Sequence, residues 1–327
     1  MRLRLPSLTA AITAAIAVLT LAGTGCGPSH SSDDVRDDDA APRKRAASAV
    51  RAAHDARNDQ SDRSDQPDQS DQSDQNRWKL VWSDEFQGPA RRGPDRTKWG
   101  FELGGEPKWG NHEWQYYTDR PSNASLDGHG NLAVTARHER LRGMRCGVGP
   151  CDITSARLTT KGRFARAYGR FEARIKIPRG QGLWPAFWML GANSDRVTWP
   201  ANGEIDVMEA LGREPGTAHG AIHGPGYVTQ GLERHTALPR GASLADGFHT
   251  YRVDWTPDKV TWYLDGTTYG NACKNQLRRG QRWVFDHPHY LLLNLAVGGD
   301  WPGPPDRSTP FPARMLVDYV RAYAPQR

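Results

Sequence analysis

From about residue 77 onward the chain consists of short runs in which apolar and polar residues alternate, and these runs constrain its fold most. Examples are Leu132–Ala136, Arg170–Lys176 and Val260–Leu264. Side chains of a β-strand point to opposite faces in turn, so a period of two predicts strands with one buried face. Gly, Pro, Asn and Asp separate the runs, and Leu264–Thr267 carries the Asp-Gly signal of a hairpin. We therefore predict an all-β domain built as a two-sheet β-sandwich.

Three carboxylates, Glu204, Asp206 and Glu209, lie within six residues among β-favouring apolar side chains. Strict alternation puts the first two on one face but turns Glu209 into the core, where an unpaired carboxylate is costly. One extra residue near Val207-Met208, a β-bulge, returns Glu209 to the face of the other acids and sends Met208 inward. The sequence thus predicts three acids side by side on one exposed face, called the acid row below.

An acid row of this kind fits the cleavage of glycosides. A retaining glycosidase uses one carboxylate as the nucleophile and one carboxylic acid as the proton donor, held about 5–5.5 Å apart. Asp206, between the two Glu residues, would share a proton with the nucleophile and raise the pKa of both neighbours by like-charge repulsion. A solvated acidic strand face without catalytic function would show the same spacing of acids. The flanking sequence is therefore needed to distinguish the two.

Six further pieces of the sequence flank the acid row. They are Trp82–Phe86, Asn111–Tyr117, Gly182–Leu190, His219–Tyr227, Ala296–Gly303 and Val317–Arg321. Together with the acid row, and in this order along the chain, they resemble glycoside hydrolase family 16, in particular its laminarinase-like bacterial endo-β-1,3-glucanases. The resemblance extends from about Trp78 to Tyr323.

The resemblance implies a concanavalin-like jelly roll with an open substrate cleft on its concave sheet. It also implies a nucleophile at Glu204, its modulator at Asp206 and the acid/base at Glu209, acting on β-1,3-linked glucan of the laminarin type by double displacement. Agarose, carrageenan, galactan and mixed-linkage glucan stay open as substrates, as does a non-catalytic carbohydrate-binding module. The bulge argues against mixed-linkage lichenases, and the piece His219–Tyr227 favours the β-1,3-glucanases.

Aromatic rings stack on the flat C–H faces of sugars, so glucan clefts are rich in Trp. The resemblance implies cleft positions for three residues: Trp184, Trp188 and Trp301. Three others are expected in the core: Trp82, Trp255 and Trp262. Core and cleft both stay open for two more: Trp114 and Trp199.

Four polar side chains are expected near the sugar: Asn111, Gln115, Arg157 and His223. By resemblance, Asn111 and Arg157 line the glycone side of the cleft. His223 follows the acid row along the chain, where an imidazole can hydrogen-bond the catalytic acids or a sugar hydroxyl.

No cofactor is expected for catalysis, but the resemblance implies a structural calcium ion on the convex side. The matching positions are Glu85, the backbone of Gly130, and Asp318, whose oxygen ligands suit calcium. Plain capping of strand ends explains the same residues.

The chain has four cysteines, and their spacing fits no zinc pattern. Cys146 and Cys151 flank a Gly/Pro loop, which predicts a local disulfide in an exported protein. Cys273 has no evident mate if Cys26 carries a lipid.

Residues 1–26 read as an export signal, with Arg2 and Arg4 followed by the apolar run Leu8–Leu21. The run is shorter than the roughly 20 residues that span a membrane. The sequence before Cys26 resembles a bacterial lipoprotein cleavage site, except that Gly23 stands where Leu is usual. Plain secretion and a surface lipoprotein acylated at Cys26 therefore both stay open.

Residues 27–76 are predicted to be a disordered polar linker because they lack large apolar side chains, and residues 77–327 are predicted to be the catalytic domain. The first 76 residues carry a net charge of −3 and the remainder +9. No basic helix or RNA-binding signature accompanies this charge, so nucleic acid is not expected as a partner. By the resemblance, the expected partner is a β-glucan polysaccharide. A monomer is expected, with membrane attachment only through a lipid on Cys26.

Overall fold

The computed structural model describes residues 77–147, 149, 152–228 and 232–326. The predicted leader 1–26, the linker 27–76 and Cys151 lie outside the described residues. Within the described part, one 3₁₀ turn, Lys274–Gln276, accompanies the strands. In chain order the strands are β1 Trp78–Asp84, β2 Gly100–Phe101, β3 Tyr116–Tyr117, β4 Ala124–Leu126, β5 Leu132–His138, β6 Ile153–Ser155, β7 Arg157–Thr159, β8 Gly169–Lys176, β9 Leu183–Gly191, β10 Glu204–Glu209, β11 Thr217–His223, β12 Glu233–Ala237, β13 His249–Thr256, β14 Lys259–Leu264, β15 Thr267–Cys273, β16 His289–Val297 and β17 Ala313–Pro325.

The strands form two sheets that pack on each other. The cleft sheet has the strand order β12-β11-β10-β9-β16-β7-β2, and the outer sheet has the order β15-β14-β13-β8-β17-β5-β6-β3, with β1 on β17 and β4 on β5. Among the described strands the pairing is antiparallel except between β3 and β6. This arrangement confirms the predicted two-sheet β-sandwich of the jelly-roll type. No helix in the described ranges is long and apolar enough to cross a membrane.

Alternating side chains of the outer sheet build one half of the core. On β14, Val260, Trp262 and Leu264 are buried while the residues between them are more exposed. Trp262 and Trp255 have almost no exposed surface, as predicted for core residues. Truncating either ring to Ala would cost about 3–5 kcal/mol, because a large side chain would leave a cavity.

The strand β16 lies between β9 and β7 in the cleft sheet, and every one of its residues is buried. A strand covered on both faces reads as a continuous apolar run instead of an alternating one. One polar residue interrupts this run: Asn294 lines the cleft. β16 therefore forms part of the floor of the cleft beside β9.

Candidate active site

The acid row lies on β10, and a β-bulge shapes it. The pairing of β10 with β9 shifts between Asp206 and Met208, and its pairing with β11 shifts between Asp206 and Glu209. Val207 and Met208 are consecutive, yet both are fully buried. The predicted bulge is thus confirmed, since it sends two neighbouring side chains into the core and returns Glu209 to the face of Glu204. All three carboxylates line one cleft of about 780 Å³.

Trp262 of the outer sheet supports the back of the acid row. Its indole N–H donates a hydrogen bond of 2.7 Å to the main-chain carbonyl of Asp206. The ring can come this close because residue 220 on β11 is glycine, and a Cβ there would lie 2.3 Å from the ring. A bulge interrupts the ladder of main-chain hydrogen bonds, and a buried carbonyl without a partner is costly. The Trp262 contact therefore stabilises the bulge on which the acid row depends.

His223 stands opposite Glu204 on β11 and faces the acids. Its Nε2 atom lies 3.0 Å from Asp206 Oδ2 and 4.0 Å from Glu204 Oε1. Its Nδ1 atom lies 2.8 Å from the carbonyl oxygen of Val228. Because a carbonyl only accepts hydrogen bonds, Nδ1 carries a hydrogen, and the ring is held with Nε2 directed at the carboxylates.

Burial and repulsion between like charges perturb the protonation of the acid row. Burial first, and then the charge of Asp206, raises the pKa of Glu204 and of Glu209 above the usual range of a carboxyl group. Burial alone would lower the pKa of His223, but the neighbouring Asp206, Glu204 and Glu209 outweigh burial and raise this pKa to about 10. A carboxyl group that stays protonated near neutral pH can act as a general acid.

Two Trp residues of β9 line the cleft as expected and hold different partners. The indole N–H of Trp184 donates to Glu209 Oε1 at 2.9 Å. The indole N–H of Trp188 donates to Asn294 Oδ1 at 2.7 Å instead. Since a hydrogen bond to a carboxylate favours its charged form, Trp184 counteracts part of the rise in the pKa of Glu209.

Arg157 lines the cleft between two aromatic rings. Its guanidinium group lies 4.6 Å from the ring centre of Trp109 and 4.6 Å from that of Trp188. Its Nε atom forms an ion pair of 2.7 Å with Glu102. The sequence did not identify Glu102 or Trp109 as site residues. The signal for Trp109 was its place two residues before Asn111, at the start of a family piece.

Asn111 and Gln115 share one buried carboxylate but differ in their access to the cleft. The side-chain amides of Asn111 and Gln115 donate to the two oxygens of Glu113, at 3.0 and 2.6 Å. Asn111 lines the cleft, whereas Gln115 is fully buried and accepts a hydrogen bond from the Val297 main chain. The expectation of a sugar contact for Gln115 is wrong, because both polar atoms of its buried side chain form hydrogen bonds within the protein.

Exposed aromatic rings stand at both ends of the acid row. Trp199 is 48% exposed and its ring centre lies 6.2 Å from that of His223. Trp301 is 37% exposed and packs edge-on against Trp184 and His219, with ring centres 5.5 and 5.1 Å apart. Both residues line the cleft. The question left open for Trp199 is therefore answered in favour of the cleft.

The other Trp residues named from the sequence belong to the interior. Trp114 packs against the hydrophobic core. Trp82 is half-buried and stacks on Phe164, with ring centres 5.0 Å apart, beside Trp99. These contacts agree with the core position expected for Trp82.

His219 also lines the cleft, and the sequence gave it no role although it lies in a family piece. It stands opposite Glu209 on β11. Burial first, and then the neighbouring His235, lowers the pKa of His219 to about 4. Its ring is consequently neutral at the pH at which the ring of His223 is charged.

The two carboxylates expected to bind calcium are each paired with an arginine. Both carboxylate oxygens of Glu85 accept from Arg321, at 3.0 and 2.8 Å, and this pairing lowers the pKa of Glu85. Arg174 contacts one oxygen of Asp318, Oδ2, at 2.5 Å. As arranged, the Glu85 side chain does not fit a calcium ligand, whereas Asp318 Oδ1 and the Gly130 carbonyl are oxygens of the type that calcium takes. The calcium site stays a prediction.

The structure answers one question about the cysteines. Cys146 and Cys273 are both disulfide-bonded, so Cys273 is not left without a mate. The predicted bond between Cys146 and Cys151 and the predicted lipid on Cys26 involve residues outside the described part of the chain and stay predictions.

The sandwich, the cleft and the acid row define a glycoside hydrolase. The chain belongs to Glycosyl hydrolases family 16, whose profile matches residues 110–321. A beta-glucanase of Rhodothermus marinus is 42% identical over 258 residues, which cover 75% of this chain and 85% of that protein. Glucan endo-1,3-beta-glucosidase A1 of Niallia circulans is 38% identical over 263 residues, which cover 76% of this chain but 38% of that longer protein. Among solved structures, an endo-beta-1,3-glucanase from Pyrococcus furiosus is 46% identical with a TM-score of 0.69, covering 76% of this chain and 95% of that chain.

Proposed function

We propose that this protein is a retaining endo-glycosidase that hydrolyses β-1,3-linked glucan of the laminarin type. The observation that carries the proposal is the acid row, which a bulge places on one face of β10 in a cleft lined by Trp. Membership of the family supports glycoside hydrolysis. Relatives that are named as β-1,3-glucanases support the linkage.

The resemblance to family 16 gives each carboxylate a part in a double displacement. In the first step Glu204 attacks the anomeric carbon while Glu209 donates its proton to the glycosidic oxygen, so the C–O bond breaks and the leaving sugar departs as an alcohol. In the second step the ionised Glu209 takes a proton from water, whose oxygen displaces Glu204 and restores the original configuration. The raised pKa of Glu209 keeps its proton available for the first step.

Burial first, and then Asp206, raise the pKa of Glu204 to about 8. Its strand neighbour His223, which is cationic, and Arg157 oppose part of this rise. Positive charge near the attacking oxygen favours the ionised form that the first step requires. Asp206 in turn pairs with His223, whose Nε2 atom lies 3.0 Å from Asp206 Oδ2.

The distribution of aromatic rings supports cleavage inside a chain. Trp199 lies at the Glu204 end of the acid row and Trp301 at the Glu209 end. Rings on both sides can stack on sugars before and after the bond that breaks. An open cleft of this form accepts a polymer along its length, so short oligosaccharide mixtures are the expected products.

The test is the release of reducing sugar from laminarin, lichenan, agarose and carrageenan side by side, with the size of the products resolved. Proton NMR of the first product should show the β-anomer before mutarotation. Clear activity on agarose or carrageenan without activity on laminarin would contradict the substrate. Tight binding to laminarin without any release of sugar would make the protein a binding module.

We also propose that the protein is exported, either secreted or held at the cell surface by a lipid. The charged and apolar leader supports export, and so do the disulfide-bonded Cys146 and Cys273, because disulfides persist in oxidising compartments. If Cys146 pairs with Cys151, the one cysteine left in the sequence for Cys273 is Cys26. Acylation of Cys26 and a Cys26–Cys273 disulfide exclude each other, since both use the same sulfur.

Mass spectrometry of the native protein distinguishes these forms. A non-reduced peptide map that links Cys26 to Cys273 supports secretion without a lipid. An acylated N-terminal Cys26 supports the lipoprotein. Cytosolic protein that retains Met1 contradicts both.

A further inference from the structure

Glu113 is a buried carboxylate outside the acid row. It is 3% exposed, although it borders the cleft. Three neutral side chains donate hydrogen bonds to its two oxygens: Asn111 to Oε1 at 3.0 Å, and Gln115 and Tyr117 to Oε2 at 2.6 and 3.1 Å. Burial of a carboxylate is costly unless hydrogen bonds replace its water, and these three donors supply that replacement.

A series of hydrogen bonds leads from Glu113 to a Trp of the cleft. The hydroxyl oxygen of Tyr117, on β3, accepts from the side-chain amide of Asn294, on β16, at 3.2 Å. The side-chain carbonyl oxygen of the same Asn294 accepts from the indole N–H of Trp188, on β9, at 2.7 Å. The four residues Glu113, Tyr117, Asn294 and Trp188 are called the floor network below. Tyr117 has no exposed surface and Asn294 is 6% exposed, so water has little access to the middle of this network.

The carboxylate determines the direction of every hydrogen bond in the floor network. A carboxylate only accepts, so the Tyr117 hydroxyl donates to Glu113 and its oxygen is left to accept. Burial first, and then the charge of Glu113, raises the pKa of Tyr117 well above its ordinary value, so the hydroxyl keeps its hydrogen. Only the NH₂ end of the Asn294 amide can donate to that hydroxyl oxygen, and this turns the amide oxygen toward Trp188. The acceptor for the Trp188 indole is therefore set by Glu113.

Both ends of this arrangement belong to the surface of the cleft. Trp188 lines the cleft beside the acid row, since it stands opposite Asp206 in the register of β9 and β10. The guanidinium group of Arg157 lies 4.6 Å from the centre of its ring. Asn111, which Glu113 holds directly, lines the same cleft. One buried carboxylate thus supports two side chains that a sugar can contact.

We propose that Glu113 is a positioning residue for glucan binding. Through Tyr117 and Asn294 it fixes the ring of Trp188, and it holds the Asn111 amide directly. A ring that is already held in its binding orientation loses less freedom when a sugar stacks on it, so binding is tighter. The hold on Trp188 is a property of the floor network alone, whereas its effect on hydrolysis rests on the proposed function.

The first arm of the test observes Trp188 by NMR without any substrate. The full-length protein is labelled with ¹⁵N in Trp, and the indole N–H signals of Trp188 and Trp184 are assigned with the variants Trp188→Phe and Trp184→Phe. Asn294→Leu removes the acceptor of the Trp188 indole, so its proton signal should move upfield and set the full size of the shift. Tyr117→Phe and Glu113→Gln should move the same signal in the same direction by a smaller amount, because the Asn294 amide loses its fixed orientation.

Two internal controls accompany this arm. The Trp184 signal should stay in place in all three variants, because its indole donates to Glu209 outside the floor network. Tyr251→Phe is the matched control for Tyr117→Phe: Tyr251 is equally buried, and its hydroxyl has no hydrogen-bond partner among the described residues. It should leave both signals unchanged. Circular dichroism and melting curves verify folding, and Tyr117→Phe decides the question if Glu113→Gln does not fold.

The second arm measures hydrolysis of laminarin. Tyr117→Phe should raise KM about threefold to tenfold, the range of one lost hydrogen bond, with kcat and the alkaline limb of the pH–rate profile unchanged. In a Trp188→Phe background the same change should add little, because the floor network acts through that ring.

Two results would overturn the proposal. One is a Trp188 signal that does not move in Tyr117→Phe, and the other is an equal rise in KM with and without the Trp188 indole. A Trp188 signal that moves as expected, in a protein that does not cleave laminarin, would retain the floor network and reject the proposed function instead.

Discussion

His219 and His223 lie four residues apart on β11 and face the same cleft, yet their pKa values are shifted in opposite directions. Burial lowers the pKa of His219 to about 4, whereas the acids around His223 outweigh burial and raise its pKa to about 10. Both imidazoles are largely withdrawn from water. Burial lowers the pKa of both rings; the carboxylates around His223 reverse the sign there, whereas His235 adds to the lowering at His219.

The same contrast separates the two glutamates. In the strand register Glu204 stands opposite His223, and Glu209 stands opposite His219. The proposed nucleophile thus faces a cation that favours a carboxylate, while the proposed acid faces a neutral ring. Burial and Asp206 nevertheless raise the pKa of both glutamates, and His223 opposes part of that rise at each of them, so the difference between the two lies in their strand neighbours.

The largest expected effects come from removing either glutamate. Glu204→Ala and Glu209→Ala should each lower the rate on laminarin by about three orders of magnitude or more, because both groups act in the transition state. Added azide separates their roles. With an activated aryl glycoside, Glu204→Ala should give a glycosyl azide of inverted configuration, whereas Glu209→Ala should give one of retained configuration.

The two variants serve as controls for each other. The opposite pair of configurations would mean that the roles of the two glutamates are exchanged, and that the contrast between their histidine neighbours has been interpreted the wrong way round. Near-full activity in both variants would mean that the acid row is a solvated strand face without a catalytic role.

Much of this site could be predicted from the sequence because its information is local. The spacing within the acid row, together with the cost of burying Glu209, is enough to predict the bulge. The position of Trp184 and Trp188 in the cleft likewise follows from a family piece and from their spacing of four on one strand.

Other contacts could not be predicted because they join distant parts of the chain. Trp262 reaches Asp206 from the other sheet, across 56 residues. The arginines that hold Glu85 and Asp318 lie 236 and 144 residues away from them. The neutrality of His219 depends on burial and on His235 of the neighbouring strand, and neither can be inferred from the residue type.

A smaller effect is expected at Trp184, whose indole N–H is bonded to Glu209. Trp184→Phe removes a donor that favours the ionised carboxylate, so the pKa of Glu209 should rise further. We expect kcat to fall about tenfold, within the range of a lost hydrogen bond to a charged group, and the alkaline limb of the pH–rate profile to move to higher pH.

Trp188→Phe is the matched control for this variant. It removes an indole of the same strand that donates to Asn294, so it should alter KM without moving the alkaline limb. Equal displacement of the limb in both variants would show that general disturbance of the cleft, and not the bond to Glu209, controls that pKa.

The two histidines should change the pH dependence of stability in opposite ways, by a few degrees. A folded pKa of about 10 means that the stabilisation from His223 is complete below its ordinary pKa of 6.5 and disappears as the pH rises through 10. The Tm of the wild type should therefore be higher than that of His223→Gln, with the largest difference at about pH 6 and the smallest near pH 10. A folded pKa of about 4 means that His219 costs stability as the pH falls from 6.5 toward 4, so His219→Gln should lose less Tm on acidification than the wild type.

Melting curves from pH 4 to 10, recorded in EDTA to exclude bound metal, measure both differences. Each kcal/mol corresponds to about 2–4 °C in a domain of this size. Parallel curves for the two variants would mean that the contrast in charge between the histidines does not exist in solution.

The smallest effect is expected on the far side of the sandwich and marks the limit of the comparison. If calcium binds through Asp318 and main-chain carbonyls, chelation with EDTA should lower Tm by about 2–4 °C, added Ca²⁺ should restore it, and Asp318→Asn should remove the response. Glu85→Gln should retain the response, because Arg321 holds that carboxylate away from an ion. Loss of the response in Glu85→Gln would mean that the carboxylate exchanges its arginine for calcium. Because this ion would lie outside the cleft, chelation should not change the difference in Tm between the His219 and His223 variants. A difference in Tm that depends on chelation would instead indicate a metal at the acid row.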